Sequence, residues 1–296
     1  MADTRGEILN HSTWKHRSTK LRLVLALVLS TSLSGSHLLA DDSPIAVFTS
    51  LVPHAEFVAE IGGPHVSVSV LVGPGHAPAN YQPTPRQMAR LAEARLFVAA
   101  AVPFEVGLLP KIQRGNPDLI VLGGAPLGAV LSDANPHAWL DPHHVRDLAD
   151  LICQELTAMA PAHAKDFAAR RDGFQQRLML LDEEIAQKMA PYQGQEFFVF
   201  HPAYGHFAAR YGLVQVAVEN EGHEPGAQQL VKIIEQAKAA HAKVIIVQPQ
   251  FSRRSAEAVA TSCDAEVLVL DPLAADYERN LRHIAEALAS AWDSES

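Results

Sequence analysis

The sequence predicts an α/β protein: two α/β lobes with parallel-type sheets, joined by a long rigid helix. Three observations lead there. Past residue 43, short apolar β-rich runs bounded by Gly or Pro alternate with helical stretches, the pattern of strands buried on both faces. The pattern occurs twice, once on each side of a long helical region. That region runs through 162–189 with one glycine, Gly173, and no proline. At 1.5 Å per residue it spans roughly 40 Å, too long for a simple crossover. A single large doubly wound domain is the alternative.

In the first half, 45–49, 66–72, 96–101 and 119–122 read as buried strands. Helices are expected at 53–61 and 84–94. The second opens on Thr84-Pro85, an N-cap followed by proline at the first helical position. The stretch 145–159 is periodic until Pro161 interrupts it. In the second half, 196–201, 214–219, 244–248 and 266–271 read as strands. The segments 204–211, 226–240, 253–262 and 277–292 read as helices. The expected divisions are a lobe over 43–160, a linking helix over 161–190 and a second lobe over 191–296.

Residues 1–40 read as an export signal. Lys15, Arg17, Lys20 and Arg22 form a basic region ahead of a mostly apolar run over 21–33. That run is too short to span a bilayer and has signal-peptide length. Small residues follow up to Ala40, then Asp41 and Asp42. Cleavage is expected near Ala40, with the product secreted to the periplasm. No cysteine follows the run, so no lipid anchor is expected there.

The formal charge is −9; without residues 1–40, which hold five Lys/Arg and two Asp/Glu, it is −12. An acidic chain argues against nucleic acid as a partner and suits either the gathering of cations or plain solubility. Cys153 and Cys263 have no metal spacing and are expected to stay unpaired. Twelve of the fifteen histidines lie beyond residue 40, so their positions decide their meaning.

Four segments at strand ends each offer a metal-ligating atom. His137 lies between two prolines in Asn135-Pro136-His137-Ala138-Trp139-Leu140-Asp141-Pro142. Prolines fix the backbone and lower the entropy cost of holding a ligand. His201 ends the apolar strand Phe197-Phe198-Val199-Phe200, where ligands gather in open α/β sheets. His76 follows a strand in the loop Gly73-Pro74-Gly75-His76-Ala77-Pro78, and Asp271 ends the run Val267-Leu268-Val269-Leu270. For each His alone, a hydrogen-bonded structural residue is the plainer reading. For Asp271 it is a cap on the next helix. Imidazole suits zinc, copper and iron, and an added carboxylate leaves manganese open.

Together these segments resemble the metal-specific solute-binding proteins of zinc and manganese ABC importers. The resemblance covers nearly all of 43–292. It also rests on Tyr81-Gln82-Pro83-Thr84-Pro85, Phe200-His201-Pro202-Ala203-Tyr204-Gly205-His206-Phe207, Gln248-Pro249-Gln250-Phe251 and Leu270-Asp271-Pro272-Leu273. It implies a monomer that holds one metal ion between its lobes and delivers it to a membrane permease. It implies His137 and His201 as ligands, with Asp271 at a position where some members use a carboxylate. His rather than Glu at 201 tilts the cargo toward zinc, with manganese as the alternative.

One position departs from the family. The family's first ligand is a His two residues before the Tyr, and here that place is Ala79. His76 is expected to substitute, since Gly73 and Gly75 free the loop backbone. Otherwise the site is incomplete here, or uses another residue such as His54, Glu221 or His223. The acidic, His-bearing turn Glu221-Gly222-His223-Glu224-Pro225 is expected to be a solvated turn with some gating role, with bordering the site as the alternative. His143 and His144 open a helix and are read as surface residues. The His-rich loop of many zinc members is missing between Phe104 and Asn135.

Enzymatic readings find less support. There is no H-E-x-x-H, no G-x-S-x-G elbow and no Gly-rich phosphate loop. A metallohydrolase is therefore the runner-up, with a binder of an organic solute or metal chelate behind it. The low aromatic content, 6%, argues against a large aromatic-lined cleft. An adhesin role is weaker still.

Overall fold

The computed structural model describes residues 43–123, 135–218, 226–251 and 253–293. The export-signal expectation at 1–40 and the Glu221–His223 turn lie outside these residues.

The first lobe is built from β1 (Ile45–Leu51), α1 (Val52–Gly62), β2 (Val66–Val72), α2 (Pro85–Leu91), β3 (Leu96–Ala99), α3 (Pro103–Gly115) and β4 (Ile120–Gly123). Its strands are all parallel, in the order β2-β1-β3-β4. After α4 (Pro142–Met159) and α5 (Ala164–Met189) comes the second lobe. It contains β5 (Glu196–Val199), α6 (Gly205–Tyr211), β6 (Val214–Ala217), α7 (Ala227–Ala239), β7 (Val244–Val247), α8 (Arg253–Cys263), β8 (Glu266–Val269) and α9 (Tyr277–Asp293). Its sheet is also parallel, in the equivalent order β6-β5-β7-β8. Two separate sheets joined by a long helix is the architecture expected from the sequence.

Local signals set the helix ends. Thr84 caps α2 through a reciprocal capping box with Gln87. The Asp141 side chain accepts from the His143 amide at the start of α4, with Pro142 in the first turn. Gly212 ends α6 at φ 71°, a left-handed cap that glycine adopts without strain. Helix α3 was not anticipated, because Gly107 and Pro110 fall inside it. It is held by Glu105, whose carboxylate accepts from Ser50 Oγ on β1 and from the Ala100 amide at 2.8 Å. Burial raises the pKa of this carboxyl.

Helix α5 runs 26 residues, roughly 39 Å at 1.5 Å per residue. Phe167, Phe174, Leu178, Leu181, Ile185 and Met189 form its buried stripe at helical spacing. That stripe packs into one continuous core shared by both lobes, from Val47 and Phe97 in the first to Phe197 and Ile284 in the second. A smaller core lies beneath α7 and α8 on the other face of the second sheet. The lobes are also fastened by polar bonds. The Tyr277 amide donates to Glu56 at 3.0 Å, and Arg177 bridges Glu60 and Glu278. Cys153 and Cys263 are both free thiols. Among the described residues, no helix is long and apolar enough to cross a membrane.

Candidate metal centre

In a parallel sheet, ligands gather beyond the carboxyl ends of the strands where the strand order reverses. In the second lobe that point lies between β5 and β7. His201 follows β5 and Gln248 follows β7. Gln248 is almost fully buried and grips His201 at both backbone atoms. Its Oε1 accepts from His201 N at 3.2 Å and its Nε2 donates to His201 O at 2.6 Å. Phe251 stacks on the His201 ring, with centroids 5.2 Å apart.

His137 comes from the loop between β4 and α4 and is 9% exposed. Asn135 Oδ1 accepts both the His137 backbone N–H, at 3.0 Å, and the Nδ1–H of its ring, at 2.5 Å. This fixes the tautomer and leaves the Nε2 lone pair outward. Asn135 is held in turn by His206, whose Nε2–H donates to the Asn135 carbonyl at 2.9 Å. Gly205 makes this approach possible, since a Cβ there would lie 2.4 Å from Asn135 Nδ2. Burial, then the nearby His201 and His206, hold His137 well below the usual histidine pKa.

The two imidazoles meet across the cleft with 3.2 Å between their Nε2 atoms. Two nitrogens bound tetrahedrally at ~2.05 Å from one zinc ion would sit about 3.3 Å apart. The pair opens into a cavity of about 640 Å³, lined among others by Ala79, Trp139, Gln215, Gln250 and Phe251.

The other residues singled out by sequence lie elsewhere. His76 is exposed, and its Nδ1 lies 3.1 Å from the carbonyl of Pro74 in a tight turn closed by the His76 amide on Gly73 O. Ala79, not His76, lines the cavity. The Asp271 carboxylate accepts from Gln250 Nε2 and from the Leu273 amide, both at 2.9 Å, so it caps the turn beyond β8. The four expected ligands are therefore not gathered into one set. Among the described residues no group of three or more His, Cys, Asp or Glu is placed to hold an ion. His143 is half exposed and meets Asp182 and Arg210. His54 is buried against Phe57 and Trp139, with no hydrogen-bond partner for its Nδ1 among the described residues. Burial lowers its pKa to about 4.

Sequence reasoning missed three supports: Asn135, Gln248 and Trp139. Trp139 touches both His54 and His137 and donates its indole N–H to Pro272 O at 2.8 Å. Their signal was adjacency, since each lies within the motif that carries or faces His137 or His201.

Over residues 47–291 the chain matches the family described as ZnuA, zinc-uptake complex component A periplasmic. The chain belongs to that family. A zinc-bound crystal structure of a ZnuA deletion mutant is 36% identical, with a TM-score of 0.79, and the match covers 86% of this chain and 100% of that one. The crystal structure of ZnuA is 35% identical, with a TM-score of 0.78, covering 84% of this chain and 99% of that one. A putative metal-binding protein of Chlamydia muridarum is 26% identical over 278 residues, 91% of this chain and 99% of its own length. The family is one of solute-binding uptake components rather than enzymes.

Proposed function

We propose that this protein is a periplasmic solute-binding protein that captures one zinc ion between its lobes and delivers it to the permease of an ABC importer. The observation that carries this reading is the 3.2 Å approach of His137 Nε2 to His201 Nε2. It brings together, from opposite lobes, two imidazoles at the spacing of a zinc bite. Second-sphere bonds from Asn135 and Gln248 hold each ligand before the ion arrives. A pre-ordered pair spends less binding energy on side-chain ordering.

His137 and His201 are the core of the proposed ligand set. His76 and Asp271 would each have to give up present bonds, to Pro74 and to Gln250 and Leu273, before joining it. Manganese is the alternative cargo, disfavoured because both core donors are imidazoles. The protein acts as a monomer, reaches the periplasm through its 1–40 segment, and has no nucleic-acid partner, in keeping with its formal charge of −9.

Calorimetric titration of metal-free protein with zinc tests the reading. One equivalent at saturation is expected, with manganese displaced by zinc in competition. No binding at micromolar zinc, under any condition of chelation, would overturn it.

A further inference from the structure

The 3.2 Å approach of the two Nε2 atoms depends on how the loop of His137 is held against the second lobe. Asn135 orients the His137 ring, but it stands in the same loop and cannot fix where that loop lies. That is set from outside, by the bond of Trp139 to the turn beyond β8 and by His206, which grips the Asn135 carbonyl from α6. His201 itself lies four residues ahead of α6. Both imidazoles are therefore placed with reference to this one helix.

A helix of seven residues is too short to hold its own direction. Arg210 lies four residues beyond His206, so the two share a face of α6. The Arg210 guanidinium forks onto Asp182 of α5, with Nε donating to Oδ1 at 2.9 Å and Nη2 to Oδ2 at 2.5 Å. The Tyr211 hydroxyl donates to the same carboxylate at 3.1 Å. Asp182 is 9% exposed and belongs to the helix whose apolar stripe runs through the shared core. It is a fixed post against which α6 is braced. An ion pair of this kind contributes little net stability beyond apolar side chains of the same volume. What the fork adds is direction, since it fixes distance and angle together. Arg210 also meets the His143 ring at 2.6 Å, a contact separate from the fork.

We propose that Arg210 is a positioning residue for the metal pair. This rests on the metal-capture reading above. Its fork on Asp182 sets the direction of α6, and the path through His206 and Asn135 carries that direction to His137, opposite His201. Arginine has no lone pair to offer an ion, so it acts through these residues and not as a ligand. Working sites tolerate errors of only ~0.5 Å, so a small swing of α6 is felt at the ion.

The test uses the full chain and two metals. Zinc affinity is read by competition with a chromophoric chelator, and coordination geometry by the visible absorption of the cobalt(II)-loaded protein. Arg210→Lys keeps a charge opposite Asp182 but loses the fork. Arg210→Met combined with Asp182→Leu removes both charges, so no carboxylate is left unpaired and thermal stability should stay near the parental value. Both variants are expected to bind zinc ~10–100-fold more weakly and to shift the cobalt spectrum. His143→Ala loses one contact of Arg210 but not the fork, and both readouts should stay parental. Parental affinity with an unchanged cobalt spectrum in Arg210→Lys overturns the proposal, whether or not the double variant folds. Weaker binding that only tracks lost thermal stability, with the cobalt spectrum unchanged, makes Arg210 purely structural and also overturns it. So does an equal loss in His143→Ala, because loosening of α4 then explains the effect. A parent protein that binds no zinc would overturn the capture reading, and this one with it.

Discussion

Trp139 and Pro272, 133 residues apart, are joined by a 2.8 Å hydrogen bond from the indole N–H to the buried prolyl carbonyl. The bond ties the loop carrying His137 to the turn that follows β8. It thereby ties the loop of the proposed ligand His137 to the frame of the other lobe. Trp139→Phe keeps the aromatic wall but leaves that carbonyl unpaired, at a cost of ~1–3 kcal/mol. Urea unfolding should show a loss in this range, together with weaker zinc binding. Unchanged stability would mean that the bond contributes nothing.

Removing either facing imidazole should abolish tight zinc binding. His137→Ala and His201→Ala are each expected to weaken it by orders of magnitude. His143→Ala should leave it unchanged, because that ring is bound to Asp182 and Arg210 away from the pair. Zinc titrations of the three variants decide this. Equal damage from His143→Ala would refute the proposed ligand assignment.

Gly205 makes no bond to metal, yet its substitution should be felt there. Gly205→Ala would press Asn135 aside, and Asn135 sets the tautomer and angle of His137. Loss of such outer support typically costs ~10–100-fold in affinity. A matching loss, with the fold retained by circular dichroism, is expected. Native affinity in this variant would show that Asn135 does not orient the ligand.

Acid should destabilise the fold through His54. Its pKa is lowered to about 4 in the folded protein, against ~6.5 in an unfolded chain. The unfolded state therefore binds the extra proton first. This contribution to stability is intact above about pH 6.5 and is lost as pH falls toward 4, by roughly 3 kcal/mol in all. His137 shifts in the same direction. Denaturation midpoints across this range should fall less steeply for His54→Leu than for the parent protein. Parallel pH profiles would sink the assignment.

The strands were legible because helices cover both sheet faces, so their apolar runs stand out between Gly and Pro. The cap at Thr84 and the uninterrupted run of α5 were equally plain. Helix α3 was obscured by Pro110, although Pro103 in its first turn, Glu105 near its start and the apolar set Leu108, Leu109 and Ile112 were present. At the site, His137 and His201 stood out because each closes a short, rigid motif. Where His76 would point was not legible. A glycine-rich loop permits many directions, and the turn formed by Gly73, Pro74 and Gly75 settles this one through local backbone bonds. Nor could spacing show that Asp271 serves its own turn, since a capping carboxylate and a ligating one look alike in sequence.

The single core threaded by α5 bears on how the cargo leaves. Phe174, Leu178 and Leu181 are fully buried in the one core that includes residues of both lobes, so swinging the lobes widely apart would expose a hydrophobic seam. On the proposed zinc-capture reading, departure of the ion would fall to the loops around the cleft. On that reading a docked permease would act on the rim, and the two lobes would keep their shared core through loading and unloading.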